Sequence, residues 1–272
     1  MRARFFWYLP PLALFAPDAL AWGLQTHVFF AQWALLAAPL ADPALRAAVA
    51  RFPRLVLAGA CLPDLALAGK ALETPAFRRS HRWATLRRIA GGNTREERAL
   101  AVGYASHLLV DVVAHHRFVP EHEARIARIP HVTHAIAEFA MDHYVAPFTF
   151  ASPGDLLASE GLADFVAERF GCRRVLAQRA LHLLARADSA LRASGVPALC
   201  RRVAKWFDRR LERRFEAYAR QTAQRLRLLE AALAGRISDW SGLDPERGSG
   251  DEPADGGAGE HVARIVQSQC DA

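Results

Sequence analysis

Apolar residues recur at three- and four-residue intervals along most of the chain, and strand-favouring Val, Ile, Thr and Tyr cluster only in short runs. That period belongs to amphipathic helices, so the pattern predicts an all-α protein, a multi-helix bundle. "WGLQTHVFFAQWALLAAPL" carries one such stripe. "DPALRAAVARF" opens a second helix with Pro43 just inside its start, where a missing amide hydrogen costs nothing. "LVLAGACLPDLAL" interrupts the pattern at Gly59 and Pro63, which puts Asp64 on a turn or at a helix start. Thr94 and Glu97 read as a capping box ahead of a long apolar helix that Pro120 should end, and Pro130 precedes the next helix, "HVTHAIAEFAMDHYV". Residues 151–200 predict two or three more helices with a break at Gly195 and Pro197, and one Arg-rich amphipathic helix is expected over 203–236. The remaining stretch, 237–272, has the Gly, Pro and acidic content of a disordered tail.

Composition changes this picture at the ends of the chain. Residues 1–21 carry Arg2 and Arg4, an apolar stretch from Phe5 to Phe15, and Ala19 and Ala21 at the positions a signal peptidase reads. The apolar run is too short to span a bilayer, and Pro10, Pro11 and Asp18 weaken it as a lipid-embedded helix. Cleavage before Trp22 and a periplasmic or secreted location are therefore expected, leaving a helical domain over 22–236. The net charge of +7 is unevenly placed. Residues 173–236 hold 16 Lys and Arg against 5 Asp and Glu, whereas 237–272 hold 2 against 8. The basic helices could meet an anionic membrane or nucleic acid, although a solvated helix face explains them equally well. Cys61, Cys172, Cys200 and Cys270 suit one or two disulfides in an oxidising compartment and have no zinc-ribbon spacing.

The chemistry concentrates between residues 22 and 145. His107, Asp111 and His115 stand at intervals of four on one predicted helix, each about 40° round from the last, so they share a face. His134, Glu138 and Asp142 repeat the interval on the next helix. Two such helices aim imidazoles and carboxylates at one point, which is how helical bundles build multinuclear metal sites, and mixed nitrogen and oxygen ligation suits zinc. One His-x-x-x-Asp alone is weak, and a buried His–Asp pair is also a common way to satisfy polar groups in a core. His122, in a stretch that reads as a charged loop, His143, His182 and His261 are taken as non-ligands. Phe29, Phe30, Trp33 and Trp83 flank the candidates, but such residues are more often core than pocket.

In order, Trp22, His27, Asp64 in "PD", His81, His107 with Asp111, His115, then His134 with Glu138 resemble the zinc-dependent phospholipase C family. Relatives of that family include single-strand-specific zinc nucleases and the catalytic part of glycosylphosphatidylinositol-specific phospholipase D. The resemblance covers about residues 22–145. It implies three zinc ions: one held by the α-amino nitrogen and carbonyl oxygen of Trp22 with His27 and Asp111, one by Asp64, His81, His107 and Asp111, and one by His115, His134 and Glu138. It thereby explains why Trp22 follows the expected cut directly. His116 competes with His115, His131 with His134, and Asp142 with Glu138. The implied reaction is hydrolysis of a phospholipid or related phosphodiester by water, with Asp64 as candidate catalytic residue and a polynucleotide as alternative substrate. The gap from Asp111 to the next histidine resembles the glycosylphosphatidylinositol-specific relatives, and no lipid-binding β-domain follows. A membrane-tethered helical protein with structural zinc is the non-enzymatic alternative.

Overall fold

The computed structural model describes residues 23–126, 130–237, 243 and 245. Trp22, the expected signal segment and most of the acidic tail lie outside them. The described residues form an all-α bundle with no strand among them. The order is α1 (Leu24–Ala37), α2 (Pro43–Arg51), α3 (Pro53–Gly59), α4 (Leu65–Ala71), α5 (Trp83–Ala90), α6 (Arg95–Val113), α7 (Val119–Ile126) and α8 (Pro130–Val145). It continues with α9 (Pro153–Leu157), α10 (Leu162–Phe170), α11 (Arg174–Ala193), α12 (Val196–Phe207), α13 (Leu211–Arg225) and α14 (Leu229–Leu233). Among the described residues no helix is long and apolar enough to cross a membrane.

Helix α6 is the axis of the bundle. Its first turn is fixed by the expected capping box: Thr94 Oγ1 accepts from the Glu97 amide at 3.1 Å, and Glu97 Oε2 accepts from the Thr94 amide at 3.0 Å. From Ala99 to Val113 every residue is buried, as befits a helix apolar on all sides and packed against α1, α2, α3, α5, α13 and α14. Glycine permits its closest crossing. A Cβ at Gly103 would lie 1.9 Å from the Val56 carbonyl oxygen, and one at Gly59 would lie 2.2 Å from that of Leu100, so α3 and α6 meet backbone to backbone. The break at Gly59 and Pro63 falls where the sequence predicts it, and Asp64 stands at the N-cap of α4.

Three expectations are corrected. Pro120 does not end the long helix: a π turn over Ala114–Phe118 joins α6 to α7, and Pro120 is the second residue of α7. A widened turn tolerates a residue without an amide hydrogen, and the helical path runs on to Ile126. The single helix expected over 203–236 is divided into α12, α13 and α14: Asp208 leaves helical geometry between the first two, accepting from the Arg210 amide at 2.9 Å and from Arg214 Nε at 2.5 Å, and a 3-10 turn over Leu226–Leu228 separates the last two. His122 lies on α7, not in a loop; it is buried, with Nδ1 2.8 Å from the Phe118 carbonyl oxygen and its ring beside Phe118 and Phe215. Cys61, Cys172 and Cys200 are free thiols, so no disulfide joins the described cysteines; Cys270 lies outside them. Of the flanking aromatics, Phe30 and Trp83 are core, while Phe29 is half-buried and Trp33 stands at the surface.

Candidate metal centre

Five sequence-predicted residues meet around the middle of α6. His107 and Asp111 lie one turn apart, with Nε2 and Oδ2 separated by 2.9 Å. His27, in the first turn of α1, places Nε2 3.3 Å from Asp111 Oδ1 and stacks its ring on His107 with centroids 3.5 Å apart. His81, on the turn before α5, brings Nε2 to 3.4 Å from Asp64 Oδ1 and 3.7 Å from Asp111 Oδ2. Ligand atoms of His27, Asp64 and His107 lie within 4.8 Å of one another, as do those of His81, His107 and Asp111. All five residues are buried. Asp111 thus turns one carboxylate oxygen toward His27 and the other toward His81 and His107, the orientation of a bridging group. The five converge somewhat differently from the resemblance, which puts Asp64 with His81 and Asp111: here Asp64 also groups with His27.

The surroundings fix these side chains. His107 Nδ1 lies 2.7 Å from the Ala60 carbonyl oxygen, so its proton sits there and Nε2 faces the cluster. The Gly59–Gly103 crossing brings that carbonyl within reach. Ser80 donates its hydroxyl to the Pro63 carbonyl and accepts at its own carbonyl from the Tyr104 hydroxyl, which ties the His81 turn both to the Asp64 turn and to α6. Asp64 makes no side-chain cap bond at the start of α4, which leaves its carboxylate for the cluster.

A second group stands alongside. His134 Nε2 and Glu138 Oε1 on α8 lie 2.7 Å apart and share a proton, and the His115 ring on the π turn lies 5.4 Å from that of His134. The π turn, invisible to a 3.6-residue count, carries His115 beside His134. Asp142 is engaged differently from Glu138. Its Oδ1 accepts from the Thr26 amide at 2.9 Å and the Thr26 hydroxyl at 2.6 Å, so it caps the start of α1, and a Cβ at Gly23 would meet its carboxylate at 2.0 Å. Asp142 therefore positions the residues that adjoin Trp22. The side chain of His131 lies outside the described residues. His182 is exposed on α11, His143 lies 3.4 Å from Arg201, and His261 is outside the described residues.

Sequence reasoning missed Asp188 and Arg192 on α11. The Arg192 guanidinium pairs with Asp188 at 2.7 Å and donates to Gln25 Oε1 at 2.8 Å, two residues before His27. Their i, i+4 spacing is the one available signal, and surface pairs carry the same spacing.

Electrostatics show what the cluster lacks. Burial raises Asp111 above the ordinary carboxylate range despite His107, and raises Glu138 to about 8 despite His134. Burial also lifts Asp142 to about 7, and Asp188 to about 6 with Asp64's charge adding to it. His115 is held well below its usual value by burial and by His134 and His81. Burial opposes protonation of His107, yet the carboxylates of Asp111 and Asp64 raise it. Nε2 of His81 and His107, both oxygens of Asp111 and Oε2 of Glu138 are buried without hydrogen-bond geometry to any partner. Convergent, buried nitrogen and carboxylate donors of this kind are costly without a cation among them, and the donor set fits zinc.

A family model described as "Zinc dependent phospholipase C" matches residues 26–174, more than half of the chain. The chain belongs to the zinc-dependent phospholipase C family, a class of phospholipase-type, zinc-dependent hydrolases. No curated protein and no solved structure gives a significant match.

Proposed function

We propose that the protein is an exported phosphodiesterase that hydrolyses a phospholipid with zinc held at the α6 centre. The observation that carries this is Asp111, buried between histidines from α1, α6 and the His81 turn, with its two oxygens facing different groups. In this reading His27 and Asp111, with the freed amine and carbonyl of Trp22, hold one ion. Asp64, His81, His107 and Asp111 hold a second, and His115, His134 and Glu138 a third. Bound zinc supplies Lewis acidity to a phosphoryl oxygen, a lowered pKa to water and charge stabilisation to the departing alkoxide. The chain's own residues arrange that chemistry. Asp64, free of capping duty, orients the attacking water and takes its proton. Asp142 sets the start of α1, the helix that carries His27. Arg192, held by Asp188, ties α11 to Gln25 in the first turn of α1.

Export follows the charge and small-residue pattern of residues 1–21, and it matters chemically, because only cleavage frees the Trp22 amine. The test is a native mass spectrum of protein recovered from the periplasm, followed by assays on phosphatidylcholine and on single-stranded polynucleotide. A mass beginning at Trp22, bound zinc and release of phosphocholine support the proposal. Hydrolysis of the polynucleotide alone moves the substrate to nucleic acid. Retention of residues 1–21 with zinc but no hydrolysis leaves a membrane-tethered protein with structural metal.

A further inference from the structure

The corner between α12 and α13 reads "KWFDRR", and it presents the most exposed large apolar side chain of the described residues: Trp206 is 79% exposed and Phe207 47%. The two rings pack edge to face, with centroids 4.9 Å apart and planes at 66°. Lys205, Arg209, Arg210, Arg202 and Arg213 are exposed around them. The nearby acids are engaged: Asp208 with Arg214 and the Arg210 amide, and Glu212 with Arg201 and Lys205. The corner is also rigid. Asp208 fixes the turn, and Cys200 on α12 packs against Ala135 and Phe139 on α8, the helix of His134 and Glu138.

We propose that this corner is an interfacial docking site for an anionic lipid surface, with Trp206 and Phe207 entering the headgroup–acyl boundary and the surrounding Lys and Arg meeting lipid phosphates. Exposed aromatic tips ringed by positive charge are the composition that partitions to a membrane interface. Because α12 packs on α8, docking here holds the His115, His134 and Glu138 group at a fixed distance from the lipid. The proposal rests on the phospholipase reading and supplies a means of holding the site against an aggregated substrate.

The test uses the full, zinc-loaded chain and vesicles of phosphatidylcholine with or without phosphatidylglycerol, read by co-sedimentation at low and high salt. The unaltered protein should bind the phosphatidylglycerol vesicles, more weakly as salt rises. Trp206→Ala with Phe207→Ala should bind about tenfold or more weakly. Arg209→Glu with Arg210→Glu should lose the salt-sensitive part. Hydrolysis of a monomeric short-chain phosphatidylcholine and the melting temperature should be unchanged in both variants, since all four side chains are exposed. Equal vesicle binding by the Trp206 and Phe207 variant overturns the proposal. So does preferential binding to an oligonucleotide, self-association through this corner, or vesicle binding that emerges only after the acidic residues 246–272 are removed. Loss of vesicle binding in the variants, with no hydrolysis of any phospholipid by the unaltered protein, keeps the docking site and rejects the phospholipase reading.

Discussion

At the scale of single residues, Asp111 and Asp142 separate a ligand role from a scaffold role that sequence spacing treats alike. Each sits four residues beyond another candidate on its helix, His107 and Glu138 respectively, yet Asp111 faces histidines whereas Asp142 faces the amide and hydroxyl of Thr26. Asp111→Asn removes a negative charge shared by two groups of histidines and keeps the volume, so the fold should persist while two zinc ions and all hydrolysis are lost. Metal analysis beside far-ultraviolet circular dichroism checks this, and an active variant with full zinc would refute the assignment. Asp142→Ala should instead destabilise the protein by about 2 kcal/mol, because the buried Thr26 donors lose their acceptor. Glu138→Gln should lower zinc content, with little change in denaturant midpoint when both proteins are compared free of metal. Identical effects from the two α8 substitutions would mean that Asp142 is a ligand after all.

Among the elements, α6 shows most directly how much of the fold was legible. Thr94 and Glu97 announced its start, and the four-residue spacing announced its ligand face, because both signals are local and depend on the ordinary helix period. The π turn after it, the Asp208 turn and the burial of His122 were not legible: the first two depart from the ordinary helix period, and the third depends on α13, which supplies Phe215 against His122. The same holds for Asp188 and Arg192, whose place at the site depends on how α11 crosses α4. The Glu97 cap gives this helix a testable acid limit. Its backbone bond to Thr94 comes first, and Arg169 and the Thr94 hydroxyl also contribute; together they hold the carboxyl down at about 2 from an ordinary 4.5. A depressed folded-state value stabilises above the unfolded value, and that contribution is lost as pH falls from about 4.5 through about 2. Glu97→Gln should therefore show a smaller loss of denaturant midpoint over that window than the unaltered protein. Gly103→Ala should destabilise by about 1–3 kcal/mol or more, since the new methyl meets backbone and cannot be moved aside cheaply.

For the whole molecule, the central question is what balances so many buried carboxylates around one helix. Without metal, protons do. Glu138 at about 8, Asp142 at about 7 and Asp188 at about 6 stay protonated in the folded chain at pH values where the unfolded chain has released those protons. Through these carboxylates the folded state binds more protons than the unfolded state, so their contribution to the stability of the metal-free protein falls as pH rises from about 4 through about 8, while His115, held well below 6.5, opposes that fall until pH passes about 6.5. Zinc opposes this slope through Glu138 and Asp111, because it takes deprotonated carboxylates and neutral imidazoles as ligands and releases protons on binding, whereas Asp142 and Asp188, engaged with Thr26 and Arg192, keep their own dependence. The stabilisation by zinc should consequently grow across the same interval, and the two stability curves should diverge with pH. Thermal melts over this range, with a chelator and with saturating zinc, measure the divergence directly. Parallel curves would mean that the buried cluster is satisfied without a cation, and would leave its histidines and carboxylates as a polar core instead of a metal centre.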